Sequence, residues 1–216
     1  MYLQLTTRCN MHCAHCCFSC TKKGKDMSEE VWRAALKLIT ECNSDITLGG
    51  GEPTLHPDFK AILLEAIAAC PDEYDKPFIV TNGTNTELSR LLFKLDRKNV
   101  VSARLSYDQY HDMDMVDSDI FELFHNHDML WSQRDNTGRP IAKRPPASII
   151  KAGRAKKIAG ATNDCCCEDI IIKPDGTFRQ CGCENAPIIG NVFTGFENNN
   201  NIGQCCRYNS PQPVGA

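Results

Sequence analysis

No run of this chain is apolar for long enough to cross a membrane. Its opening residues, MYLQLTTRCN, lack both the basic start and the apolar centre of a secretory signal. Charge of one sign is scarce as well. A formal net charge of −3 over 216 residues supplies no general attraction to nucleic acid or to an anionic membrane. No internal repeat divides the chain. These absences predict a cytoplasmic protein with no membrane segment and no nucleic-acid partner. At this length it is one large domain, or one domain with a small appendage, and a hydrophobic content of 42% is enough for a real core.

Cysteine, by contrast, is abundant: 14 residues, five of them at 9–20 and seven at 165–206. The cytosol keeps thiols reduced, so such wealth points to metal or redox chemistry rather than to a disulfide framework. Only Cys42 and Cys70 lie between the two groups, and both are expected in the core, near helix ends on apolar faces.

The pattern between them alternates strand and helix. Tyr2 to Thr6 alternates apolar and polar like a strand, and Ser28 is a good N-cap with Glu29 and Glu30 in the first turn behind it. Val31, Ala35, Leu38, Ile39 and Cys42 then recur at helical spacing. A second strand is expected at 45–48, a helix opened by Asp58, a third strand at 77–81, and a helix over 86–95. A fourth strand follows at 100–105, then a helix from Ser118 to Trp131. Residues 132–147 read as loop, and 148–151 as a fifth strand. Such alternation predicts parallel strands joined by right-handed crossovers: an α/β fold, a partial TIM-like (β/α) barrel of about five to six strands. Glu168 to Lys173, the turn Pro174-Asp175-Gly176, and Thr177 to Cys181 read as a β-hairpin in a small C-terminal unit. The expected division is 1–158 for the barrel, 159–208 for the hairpin domain, and 209–216 for a tail.

The motifs CNMHCAHC (9–16), GGGEPT (49–54), TNGT (81–84) and SYD (106–108) each fall just after a strand. The C-terminal edge of a barrel is where such a fold carries its chemistry. Cys9, Cys13 and Cys16 put three thiols in one short loop, and thiolates hold iron–sulfur clusters. Taken alone, the loop also suits zinc, with His12 or His15 and with Cys17 or Cys20 completing a tetrahedron. Glu52 follows three glycines, which let a backbone approach a neighbour closely.

Together these stretches resemble the radical S-adenosylmethionine (SAM) family. C-x3-C-x2-C at Cys9, Cys13 and Cys16 is similar to its signature, and Gly49, Gly50, Gly51 and Glu52 resemble its GGE element. The resemblance implies a [4Fe-4S] cluster on the three cysteines, with SAM on the open iron and its reductive cleavage to a 5′-deoxyadenosyl radical that takes a hydrogen from substrate. It implies that Glu52 accepts from the SAM ammonium and that His15 lies near the adenine. Ser106 and Asp108 resemble an S-x-D element near the SAM ribose and carboxylate, and Asn82 faces the same mouth. Gly153-Arg154-Ala155 resembles a G-R-A element whose Arg154 meets an anionic group of SAM or substrate; a solvated loop arginine beside Lys156 and Lys157 is the alternative.

Cys165 or Cys166, then Gly176, then Cys181 resembles the opening of a SPASM or Twitch auxiliary-cluster domain. That implies a second [4Fe-4S] cluster on Cys166, Cys181, Cys183 and Cys205, with Cys165 and Cys206 as substitutes. A zinc ribbon is the alternative here. The expected partners are a reductant such as flavodoxin or ferredoxin and a peptide or protein substrate, with no leader-binding domain ahead of the first strand. A glycyl-radical activase, an enzyme acting on a small molecule or nucleotide, and a zinc-binding scaffold stay open as other readings.

Overall fold

The computed structural model describes residues 1–70, 75–162, 169–182 and 186–196. Strand β1, Tyr2–Thr6, leads through a long loop into helix α1, Glu29–Glu41. The Ser28 hydroxyl accepts from the Val31 amide, so the expected N-cap forms. Strand β2, Thr47–Gly50, is followed by a short 3-10 turn at Pro53–Leu55 and by α2, Phe59–Ala68. Asp58 occupies the cap position of α2 but its side chain makes no cap bond; its amide donates instead to His56 Nδ1 at 3.0 Å. Then come β3, Phe78–Thr81; α3, Thr86–Arg97, capped by Asn85; β4, Ser102–Ser106; and α4, Ser118–Asn126.

Here the chain departs from the sequence expectation. Helix α4 stops at Asn126, Asp128 adopts φ +57, and Leu130–Trp131 forms β5, which pairs parallel with β4. The apolar run that reads as the end of a helix is thus the fifth strand. Residues 133–134 and 140–141, expected in a loop, pair as a small antiparallel hairpin, β6 and β7. Residues 148–151 hold no strand, only an isolated bridge between Ile150 and Thr162. Cys42 is exposed and Cys70 half-buried, because each falls where its helix has run out, Cys42 at the C-cap position of α1 before Asn43 turns away at φ +49.

The expected hairpin is present as β8, Ile171–Ile172, and β9, Thr177–Arg179, with Gly176 at φ +81 in its turn. It lies in the main sheet, since β8 pairs parallel with β1. Strands β10, Ile188–Asn191, and β11, Gly195–Phe196, continue it antiparallel. The result is a nine-stranded sheet in the order β11-β10-β9-β8-β1-β2-β3-β4-β5, six of whose neighbouring strands run parallel. The sheet is mostly parallel with two different edge strands, and among the described residues those edges do not pair into a closed barrel.

Side chains alternate across the strands. Leu3, Leu5, Leu48, Ile79, Ala103 and Leu105 are buried in one core with Trp32, Ile39, Phe59, Ile62, Leu92 and Phe124 from the helices. That assigns the helices to one face. Tyr2, Gln4 and Thr6 of β1 point to the other. Because β8 and β1 through β5 all run one way, the loops after them share one edge.

Candidate active site

The thiol loop is an excursion with a hydrogen-bonded stem. The Thr7 amide donates to Lys25 O at 2.8 Å, Cys9 N to Thr21 O at 2.9 Å, and Met27 N to Leu5 O at 2.8 Å. Arg8 grips Asp26 with two nitrogens, each at 2.8 Å. Within the loop a turn brings Cys16 N to Cys13 O at 3.2 Å. Cys9, Cys13 and Cys16 are free thiols, each partly exposed. Burial makes two of them, Cys9 and Cys13, resist ionisation. Burial, helped by the neighbouring Cys9 and Cys16, pushes Cys13 up to about 12. Cys16 falls to about 5 because the Cys20 thiol donates to it. Three crowded, partly buried sulfurs become stable thiolates together once cationic iron sits among them, so this donor set fits a cluster.

The glycine run works against the chain's own backbone first. A side chain at Gly49 would meet the Tyr2 hydroxyl at 2.2 Å, at Gly50 the Thr6 carbonyl at 2.4 Å, and at Gly51 the Arg8 carbonyl at 2.0 Å. Only bare backbone lets β2 close on the root of the thiol loop, with Gly51 N on Thr6 O at 2.7 Å and Glu52 N on Arg8 O at 2.8 Å. That packing delivers Glu52, which is 1% exposed. Its Oε1 accepts from Thr54 Oγ1 at 2.6 Å, Thr54 N at 3.2 Å and Thr81 Oγ1 at 2.7 Å, and its Oε2 from Asn82 N at 2.7 Å. All of those donors are neutral, and burial outweighs them, raising its pKa. Among the described residues Glu52 has no cationic partner.

Asn82 stitches the end of β3 to the thiol loop. Its Nδ2 donates to Asn10 Oδ1 at 2.9 Å and lies 3.9 Å from Cys9 Sγ, while Asn10 Nδ2 donates to Thr84 Oγ1 at 2.7 Å. Ser106 ends β4, half-buried. Asp108, two residues on, is 5% exposed and accepts at Oδ1 from His111 Nδ1 at 2.8 Å and Tyr110 N at 2.9 Å. Its Oδ2 is 3.6 Å from His15 Nε2 and 3.8 Å from Arg144 Nη1. Burial takes His15 down to about 4, against the pull of Asp108, so the ring is neutral. It sits between the rings of Tyr110 and His111, with centroids 5.0 and 4.9 Å away, and its Nδ1 is buried with no partner. The rings meet at 34° and 70°, so this is an angled aromatic cluster around a buried imidazole nitrogen that lacks a hydrogen-bond partner.

Arg154 arrives from a 3-10 turn at Gly153–Lys157 and points into the thiol loop. Its Nε donates to Cys13 O at 3.0 Å, its Nη1 to Cys20 O at 2.6 Å, and its backbone amide to Cys16 O at 3.0 Å. Gly153, at φ +53, leaves no room for a side chain, which would meet Cys17 O at 2.4 Å. In the chain alone, Arg154 therefore serves the loop's backbone. Of the C-terminal cysteines, Cys181 is buried just beyond β9; Cys165, Cys166, Cys183, Cys205 and Cys206 lie outside the described residues. Sequence reasoning missed Asn10, Tyr110, His111 and Arg144. His111 stands in the same SYDQYHD stretch as Asp108, three residues on, a spacing that lets an Asp take the imidazole N–H.

A three-thiol loop, a buried carboxylate and a set of aromatic rings on one edge of a parallel sheet define a cluster-and-cofactor enzyme class. The radical SAM superfamily model matches residues 3–118, more than half of the sequence, and the chain belongs to that superfamily. Membership implies a [4Fe-4S] cluster and SAM. The chain is 29% identical over 119 residues to the "Putative peptide biosynthesis protein YydG" of Bacillus subtilis (strain 168), covering 50% of this chain and 35% of that protein. It is 33% identical over 111 residues to "Molybdenum cofactor biosynthesis protein 1" of Drosophila melanogaster, covering 49% of this chain and 19% of that one. The matched segment thus spans about a third or less of these curated relatives. The fold resembles that of BtrN, solved in complex with AdoMet and 2-DOIA, at a TM-score of 0.55 and 12% identity, covering 89% of this chain and 77% of that one. No helix among the described residues is long and apolar enough to cross a membrane.

Proposed function

We propose that this chain holds a [4Fe-4S] cluster on Cys9, Cys13 and Cys16, cleaves SAM reductively there, and draws hydrogen from a peptide or protein. The observation that carries the reading is Glu52, a fully buried carboxylate beside the thiol loop with only neutral donors around it. Such a group is stabilised by a cation that brings its own hydrogen-bond donors, and the SAM ammonium is one. When bound, the cluster and SAM together supply a 5′-deoxyadenosyl radical. The chain's residues do the rest. Arg154 and the stem bonds brace the loop, Asn82 and Asn10 fix its angle to β3, and the aromatic cluster at His15, anchored at Nε2 by Asp108, flanks the adenine.

The likeness to a peptide-biosynthesis protein supports a peptide or protein substrate. A partial barrel open at its side, 1–158 in extent, would admit part of a large substrate, and the reductant would be a flavodoxin or ferredoxin. The C-terminal cysteines, Cys181 among them, would carry a second [4Fe-4S] cluster within 159–208. Anaerobic reconstitution tests the whole reading. About eight irons per chain, with SAM converted to 5′-deoxyadenosine on reduction, support it, and about four irons would remove the second cluster alone. Zinc occupancy without cleavage would overturn it. Activity confined to a free small metabolite would overturn the peptide substrate.

A further inference from the structure

Gln4 stands in the middle of β1 on the face away from the helices and is 1% exposed. Lys173, which follows β8, donates from Nζ to Gln4 Oε1 at 3.0 Å. An ammonium can only donate, so this contact assigns the amide: the oxygen is the atom on Lys173 and Nε2 is its other arm. That Nε2 is buried and has no partner. Buried amide donors are rarely left so, because the lost hydration is not recovered. Lys173 itself forms no ion pair among the described residues. Its Nζ lies 4.8 Å from the centre of the Phe18 ring, and burial, with Arg179 nearby, lowers its pKa. Two neighbouring donors, one on β1 and one just past β8, therefore have no anionic partner among the described residues.

Their surroundings say more. Tyr2 and Gln4 share one face of β1, matched by Ile171 on β8 and by Lys173 just past its end. At the Tyr2 and Ile171 end of that face opens a cavity of about 250 Å³ walled by Tyr2, Cys17, Phe18, Ile150, Ala152 and Ile171, with Asp169 the one acidic group on its wall, while Gln4 and Lys173 stand past Phe18. Phe18 belongs to both, closing the cavity and carrying the lysine over its ring. We propose that Gln4 Nε2 and Lys173 Nζ bind a carboxylate whose neighbouring apolar side chain fills this cavity, as at the C-terminal residue of a peptide. That the carboxylate belongs to the substrate rests on the radical SAM reading. The binding site does not.

The test uses full-length chain after anaerobic reconstitution, without SAM, and three probes followed by saturation-transfer NMR. N-acetyl-leucine carries the side chain and the carboxylate, N-acetylleucinamide the side chain alone, and N-acetylglutamate α-amide a side-chain carboxylate. N-acetyl-leucine should bind at least about tenfold more tightly than its amide. Lys173→Met, which keeps the stem over Phe18, and Gln4→Leu should erase that difference, while Lys173→Arg keeps it. Glutamate α-amide binding as well as N-acetyl-leucine would support a carboxylate subsite fed by an acidic side chain rather than a chain end. Equal binding of leucine and leucinamide, a difference that survives Lys173→Met in folded protein, or no binding of any probe at millimolar concentration would overturn the proposal. Should Lys173→Met not fold, Gln4→Glu decides it: Lys173 keeps its partner, and the carboxylate preference must vanish by repulsion. Iron content and SAM cleavage, read on the same samples, show separately whether the radical SAM reading holds.

Discussion

Arg154→Gln in the reduced, cluster-free chain isolates the brace on the thiol loop. The substitution removes the bonds to Cys13 O and Cys20 O, at 3.0 and 2.6 Å, but leaves the backbone bond from residue 154 to Cys16 O. A hydrogen bond to a charged group contributes about 1.5–3 kcal/mol when buried, and this half-buried arginine belongs at the low end. Two such bonds give a loss of roughly 2–4 kcal/mol. With a urea slope of about 2 kcal/mol/M, the midpoint should fall by about 1–2 M. Lys at this position keeps the charge, but a single ammonium cannot fork between two carbonyls, so it should restore roughly half. In the reconstituted protein, Arg154→Gln should also surrender its iron to a chelator sooner. A variant with the wild-type midpoint and the wild-type rate of iron loss would refute the bracing role.

Glu52→Gln should keep its iron but bind SAM about 10–100-fold more weakly in equilibrium dialysis; unchanged affinity would remove the cation argument. Gly51→Ala places a methyl 2.0 Å from Arg8 O, so β2 must part from the loop stem. The expected loss is about 2–4 kcal/mol in urea unfolding, and a neutral result would contradict the close packing. Burial pulls Asp108 up, yet the hydrogen bond and charge of His111 hold it below its ordinary 3.8. Its stabilisation is therefore fully present above pH 3.8 and is lost as pH falls through the lower folded-state value. Asp108→Asn should flatten that acid limb of the stability curve, and an unchanged limb would show the pairing to be weak.

The legible parts of the fold were those in which one local signal suffices. Ser28 before Glu29 and Glu30 announced α1, and the turn Pro174-Asp175-Gly176 announced the hairpin, because caps and turns are fixed by a few adjacent residues. Leu130–Trp131 misled for the opposite reason. Two apolar residues after a helix fit a last turn as well as a short strand, and only the hydrogen bonds from β4, with Leu105 N on Met129 O at 2.9 Å, settle which forms. The nearest strand to β1 on its other side comes from residues about 170 positions later, a pairing no local pattern can carry.

The site divides the same way. The cysteine spacing and the glycine run before Glu52 are short-range constraints, so the sequence alone was enough to point to the family. It could not tell whether Arg154 meets a ligand or the chain. Nor could it join Gln4 to Lys173, or set His15 between Tyr110 and His111. Those pairings depend on which strands lie side by side and how far their side chains reach. Close packing of distant segments decided them, through carbonyls, rings and amides that become neighbours only once the sheet has formed.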